Sequence, residues 1–71
     1  MMGWSRSVFS SNVSEVGWEE PGTMTVTFTN GSVYEYDGVD EGTAIALSRA
    51  PSVGQMLNSD IKGQYAFRKI R

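Results

Sequence analysis

Seven consecutive residues, Thr23-Met24-Thr25-Val26-Thr27-Phe28-Thr29, alternate polar and apolar without a break. Successive side chains of a β-strand point to opposite faces, so this period of two predicts a half-buried strand with Met24, Val26 and Phe28 inward. Asn30-Gly31 follows, and Val33-Tyr34-Glu35-Tyr36 then reads as a second strand. The turn between the strands decides where the two tyrosines go. A two-residue type I′ loop would pair Thr27 with Tyr34 and Thr25 with Tyr36, leaving both rings on the threonine face. A three-residue loop of Thr29, Asn30 and Gly31, with Gly31 left-handed, pairs Val26 with Tyr34 and Met24 with Tyr36. A slip of one residue exchanges the faces of a whole strand, so the register that keeps apolar against apolar is the expected one. It places Tyr34 and Tyr36 on the covered face and Val33 and Glu35 outside.

The segments on either side extend this hairpin into a fold. Val16 to Trp18 forms a short apolar strand, closed by the turn cluster Glu19-Glu20-Pro21-Gly22. Asp40 is placed to cap a helix running to about Ala50, with Glu41 at its positive end, Ala44, Ile45 and Leu47 on its apolar side, and Pro51 as its stop. A second helix begins at Ser52, where Gln55 completes a capping-box spacing. Val53, Leu57 and Ile61, with Met56 beside them, form its buried stripe; Gly54, Asn58 and Lys62 form the opposite one, and Gly63 sits where a left-handed C-cap belongs. The tail, Tyr65 to Arg71, mixes aromatic and basic residues and suits a short strand on the sheet edge. The expected fold class is therefore α+β: an antiparallel three-stranded meander followed by two helices packed on one face, with a short C-terminal strand. Residues 1–9 are expected to form an N-terminal arm, and residues 10–71 one domain.

Composition narrows the function. A chain of 71 residues makes one small domain, and ordering it costs on the order of 100 kcal/mol of conformational entropy. With no Cys there is no disulfide to help, so a homo-oligomer is expected. The absence of both His and Cys excludes a Ser-His-Asp triad, a thiolate nucleophile and the usual zinc ligands. What is left favours binding over turnover, with no enzyme activity, no cofactor and no metal. Glu19-Glu20 and Asp40-Glu41 read as turn and cap residues, since no calcium-loop spacing accompanies them. The start MMGWSRSVFSS lacks the apolar core of a signal peptide, and no membrane-spanning run occurs, so the expected setting is soluble and cytoplasmic.

The net charge is −2, but it is unevenly placed. Up to Glu41 the single basic residue is Arg6, whereas from Arg49 onward Lys62, Arg68, Lys69 and Arg71 face only Asp60. Such halves can pack against each other or against a neighbouring subunit, and a local basic patch can hold one or two phosphates. Two constellations are candidates. At the start of the second helix, the first-turn amides, the approachable backbone of Gly54, the Ser52 hydroxyl and Arg49 suit a phosphate or carboxylate, with Asn58 and Lys62 along the same groove. Capping alone also accounts for Ser52 and Gln55. Elsewhere, Tyr34, Tyr36, Tyr65 and Phe67 can stack a base, with Arg68 or Lys69 on its phosphate, or can serve simply as core.

Phe28-Thr29-Asn30-Gly31-Ser32-Val33-Tyr34-Glu35-Tyr36 and Ala50-Pro51-Ser52-Val53-Gly54-Gln55-Met56-Leu57-Asn58, followed by Ile61 and Tyr65, resemble the KTSC domain family. That family is named after a module at the C-terminus of some lysyl-tRNA synthetases. Its pattern of a Ser-Ser start, an apolar-Gly-aromatic strand, F-x-N-G-x-x-Y-x-Y and S-x-G-x-x-F-N is met by Ser10-Ser11, Val16-Gly17-Trp18, the hairpin and Ser52-Val53-Gly54. Leu57 stands where an aromatic is usual, and Trp18 where Tyr is usual. The resemblance covers about Ser10 to Ile70, and it implies a fold more than an activity. It points to RNA or nucleotide contact. For a bacteriophage member it also implies a non-catalytic oligomer that sequesters a nucleotide signal of host immunity. The expected function is thus a binding protein for a nucleotide or other phosphorylated small molecule. The alternatives are an RNA-binding accessory module, or a protein-interaction or inhibitor module that uses Trp4, Trp18 or an exposed strand edge.

Overall fold

The computed structural model describes residues 3–71; Met1 and Met2, at the start of the expected arm, lie outside the described residues. The chain runs β1 (Gly3–Ser7), β2 (Val13–Glu19), β3 (Thr23–Phe28), β4 (Val33–Tyr36), α1 (Glu41–Ser48), α2 (Val53–Met56) with a π-helical continuation over Leu57–Ile61, and β5 (Phe67–Lys69). All five strands join one antiparallel sheet in chain order. The expected meander is thus its centre, the tail adds β5 as anticipated, and the span set apart as an arm supplies an edge strand, β1.

The central hairpin has the expected register: Val26 pairs with Tyr34 and Met24 with Tyr36. Gly31 takes φ +94°, Phe28 N–H donates to Ser32 C=O at 2.8 Å, and the Asn30 side chain accepts from Ser32 N–H at 2.9 Å. On the inner face Val16, Trp18, Met24, Val26 and Tyr36 are buried against Ala44, Leu47, Val53, Leu57 and Ile61 of the helices, with Val13 and Val39 closing the same core. Trp18 spends its indole N–H on the Val39 carbonyl at 2.8 Å, so the polar edge of this large ring is satisfied in the interior. Two positions differ from expectation. Val33 is on the outer face as expected but is buried, because β5 and the tail run beside it, with Val33 C=O accepting from Ile70 N–H and Val33 N–H donating to Arg71 C=O, both at 2.8 Å. Ile45 is exposed, since α1 turns Ala44, Leu47 and Ser48 toward the sheet; Ser48 is buried with its hydroxyl donating to Ile45 C=O at 2.8 Å.

The helix signals are realised with two refinements. Asp40 caps α1, accepting from Thr43 N–H at 3.2 Å and from the Thr43 hydroxyl at 2.7 Å, and Ser52 caps α2 through Gln55 N–H at 3.4 Å. Beyond Met56 the helix widens, and Lys62 N–H reaches back five residues to Leu57 C=O at 2.9 Å. Residues four apart drift around an α-helix in one sense and around a wider π turn in the other, so this change keeps Val53, Leu57 and Ile61 aligned on the core. Gly63 has the expected positive φ, +82°, though as the third residue of a type II turn and not as a helix cap: Lys62 is extended (φ −64°, ψ 131°) and Gln64 N–H donates to Ile61 C=O at 3.0 Å.

Candidate functional site

Strand parity places Phe28 of β3, Tyr34 and Tyr36 of β4, and Phe67 of β5 on the same face of the sheet. At the β4–β5 side these rings form a row. Phe28 meets Tyr34 edge-on with centroids 5.6 Å apart, and Phe67 lies 5.9 Å from Tyr34 and 5.8 Å from Tyr36 at shallow tilts. They line a cleft of about 390 Å³ together with Asn30, Ser32 and Lys62. Lys62 is the first residue after the π turn, and its Nζ stands 6.0 Å from the centre of the Phe28 ring, at the outer limit of a cation–π contact. Lys69 is the cross-strand partner of Tyr34 and so shares its face. Phe67 remains 58% exposed, leaving a π surface open to a planar guest. Burial holds the Tyr36 phenol above its ordinary pKa, and the neighbouring Tyr34 adds to the effect. It therefore stays neutral, a hydrogen-bonding group and not an anion, across the physiological range. Rings, hydroxyls and a cation on one concave surface can stack a flat group and neutralise an attached phosphate.

The residues singled out in the sequence do not all converge on this cleft. Tyr34, Tyr36 and Lys62 line it, and Tyr65 packs against the core. Asn58 is exposed one turn before Lys62 on the helix. Arg68 faces the other way: it pairs with Glu35 on the outer face, Nη2 to Oε1 at 2.8 Å, so the expected placing of Arg68 on a phosphate beside the tyrosines is not what β5 allows. Arg49 lines a separate groove with Trp4, Arg6 and Glu41, and Ser52 lines a shallow surface with Gln55, Ser59 and Asp60. Gly54 is approached closely, but by this protein's own side chain. A Cβ there would meet Asn12 Oδ1 at 2.6 Å. The contact accounts for glycine at this position, so a bulky substitution tests packing more than anion binding.

Phe28, Asn30 and Ser32 were not among the candidate ligand residues. The signal for Phe28 was present, since it shares the strand parity of Met24 and Val26 and the chosen register aligns that face with Tyr34. The signal for Asn30 and Ser32 was their place in and directly after the three-residue turn, which carries them to the rim of whatever the aromatic face encloses.

Residues 9–65 match the family model of the KTSC domain. Over 48 residues the sequence is 44% identical to lysine–tRNA ligase of Nostoc punctiforme, taking in 68% of this chain and 9% of the ligase. Over 48 residues it is 40% identical to lysine–tRNA ligase of Trichormus variabilis, with the same coverage of 68% and 9%. The chain thus spans 9% of the length of the ligases it matches. The crystal structure of a KTSC domain protein from Yersinia pestis is similar to it with a TM-score of 0.86 at 28% sequence identity, covering 99% of this chain and 100% of that one.

Proposed function

The chain belongs to the KTSC domain family, and from that premise we propose that it is a small binding module holding a nucleotide, or another phosphorylated small molecule with a planar group, in the cleft of Phe28, Tyr34, Tyr36 and Phe67. The observation that carries this reading is the row of rings from three strands beside a lysine that makes no salt bridge among the described residues. A base stacked on Phe67 and Tyr34 is stabilised by about 1–3 kcal/mol. Lys62 at one side of the cleft and Lys69 on the β5 side offer cations to its phosphates. Such a site works at a net charge of −2, because it neutralises one or two phosphates and not a polymer's worth. The sequestration of a nucleotide signal, which the family resemblance suggested, is one use of a site of this kind.

Native mass spectrometry of the protein with a panel of mono-, di- and cyclic dinucleotides tests the reading. The expected result is a defined mass adduct whose affinity falls at least tenfold in Phe67→Ala and again in Lys62→Glu, both at exposed positions. No adduct across the panel, or an adduct indifferent to both substitutions, would refute it. The relatives support a second reading, since the matching segments belong to ligases that act on tRNA. Lys62, Lys69 and Arg71 would then contact RNA phosphates, and affinity would fall steeply with salt, whereas a small-ligand site gives a shallow slope.

A further inference from the structure

Strand β1 is an open edge with unspent hydrogen bonds. Val8 N–H donates to Ser14 C=O at 3.1 Å, and the β1–β2 register runs unbroken from there through Arg6↔Val16 and Trp4↔Trp18. Hydrogen-bonded pairs alternate in an antiparallel ladder, so Trp4 and Arg6 direct their backbone groups at β2, while Gly3, Ser5 and Ser7 direct theirs away from the sheet. The opposite edge, β5, is defended differently: it is three residues long and carries Arg68 and Lys69. β1 has a single charge, Arg6, and no proline.

We propose that β1 pairs antiparallel with β1 of a second copy about a two-fold axis at Ser5, joining two five-stranded sheets into one. In this register Ser5 bonds Ser5 of the other copy and Gly3 bonds Ser7, which uses every outward backbone group of the strand. Trp4 then lies opposite Arg6 of the other copy, in the close non-hydrogen-bonded pairing, on the face toward α1. Glu41 of α1 is already there, its Oε2 accepting from Trp4 Nε1 at 3.0 Å. The incoming guanidinium therefore finds an aromatic face and a carboxylate together, and by symmetry offers the same. Ile45, 36% exposed in the same groove as Trp4, Arg6 and Glu41, lies beside the seam on that face. On the outer face Gly3, Ser5 and Ser7 are too small to obstruct. A shift of two residues one way sets Arg6 against Arg6, and a shift the other way sets Trp4 against Trp4 and separates Arg6 from it. Pairing β1 with β5 would bring Arg6 toward Arg68 and Lys69.

Sedimentation equilibrium of the full chain from low to high micromolar concentration tests the seam. Ser5→Pro removes an outward N–H that β2 does not use, so it should keep the circular dichroism and thermal unfolding of the folded subunit while halving the mass of the assembly. Arg6→Glu should also halve the mass by opposing Glu41, and Arg6→Glu combined with Glu41→Arg should restore it. A wild-type protein that remains monomeric throughout, a Ser5→Pro assembly of unchanged mass, or a charge-swapped pair that stays dissociated would each overturn the proposal.

Discussion

Replacing Gly54 by Ala separates two accounts of why glycine occupies this position. Left to helix propensity, the exchange stabilises by roughly 0.5–1 kcal/mol, because Ala has less backbone freedom to lose on folding. The structure opposes that gain. The new methyl would sit 2.6 Å from Asn12 Oδ1, 3.3 Å from Nδ2 and 3.4 Å from Cγ, so the carboxamide has to move. Asn12 is exposed and can swing, but its Oδ1 accepts from the Ser10 hydroxyl at 3.0 Å, and that same hydroxyl also accepts from the backbone N–H groups of Asn12 and Val13 at 3.4 Å. Losing the Ser10–Asn12 bond costs about 0.5–1.5 kcal/mol. Gly54→Ala alone should therefore fall between about 0.5 kcal/mol stabilising and about 1 kcal/mol destabilising. In an Asn12→Ala background the obstacle is gone, and the same exchange should stabilise by about 0.5–1 kcal/mol. The coupling between the two sites is then about 1 kcal/mol, worth about 4–8 °C in Tm for a domain of this size. Urea and thermal unfolding of the four proteins measure it. Effects that add within about 0.3 kcal/mol would show that Asn12 does not constrain Gly54.

Two further perturbations probe the scaffold. Leu57 is 1% exposed on the π turn and packs in the core, so Leu57→Ala should cost about 2–4 kcal/mol, a large share of the total stability of so small a domain; a midpoint that barely moves would mean that the turn does not face the sheet. Asp40 has its pKa lowered chiefly by the side-chain hydrogen bond from Thr43, so its contribution is present above the unfolded-state carboxylate pKa and is lost as pH falls through the lower folded value. Asp40→Ala should consequently flatten the decline in Tm through that acid range, and identical acid profiles for the two proteins would refute the capping role.

Local signals were enough to determine the centre of this fold. Alternation along Thr23–Phe28, a turn only three residues long and the cost of burying threonine in place of tyrosine left one acceptable register, and the positive φ of Gly31 and Gly63 and the caps at Asp40 and Ser52 followed from neighbouring residues. Each of these choices is decided within a few residues. What tertiary structure alone decided lies where distant segments meet. Gly3–Ser7 carries no alternating apolar pattern and becomes a strand because β2 offers it an edge; Val33 is buried by the tail; Gly54 is fitted to the Asn12 side chain, more than forty residues earlier in the chain. The candidate site divides along the same line. Tyr34 and Tyr36 were legible from strand parity, whereas Lys62 reaches the cleft from the turn that follows the π turn and not from a helix stripe, and Arg68 went to the outer face because the pairing of β5 with β4 sets it opposite Glu35. That pairing joins residues more than thirty positions apart, and no local period encodes it.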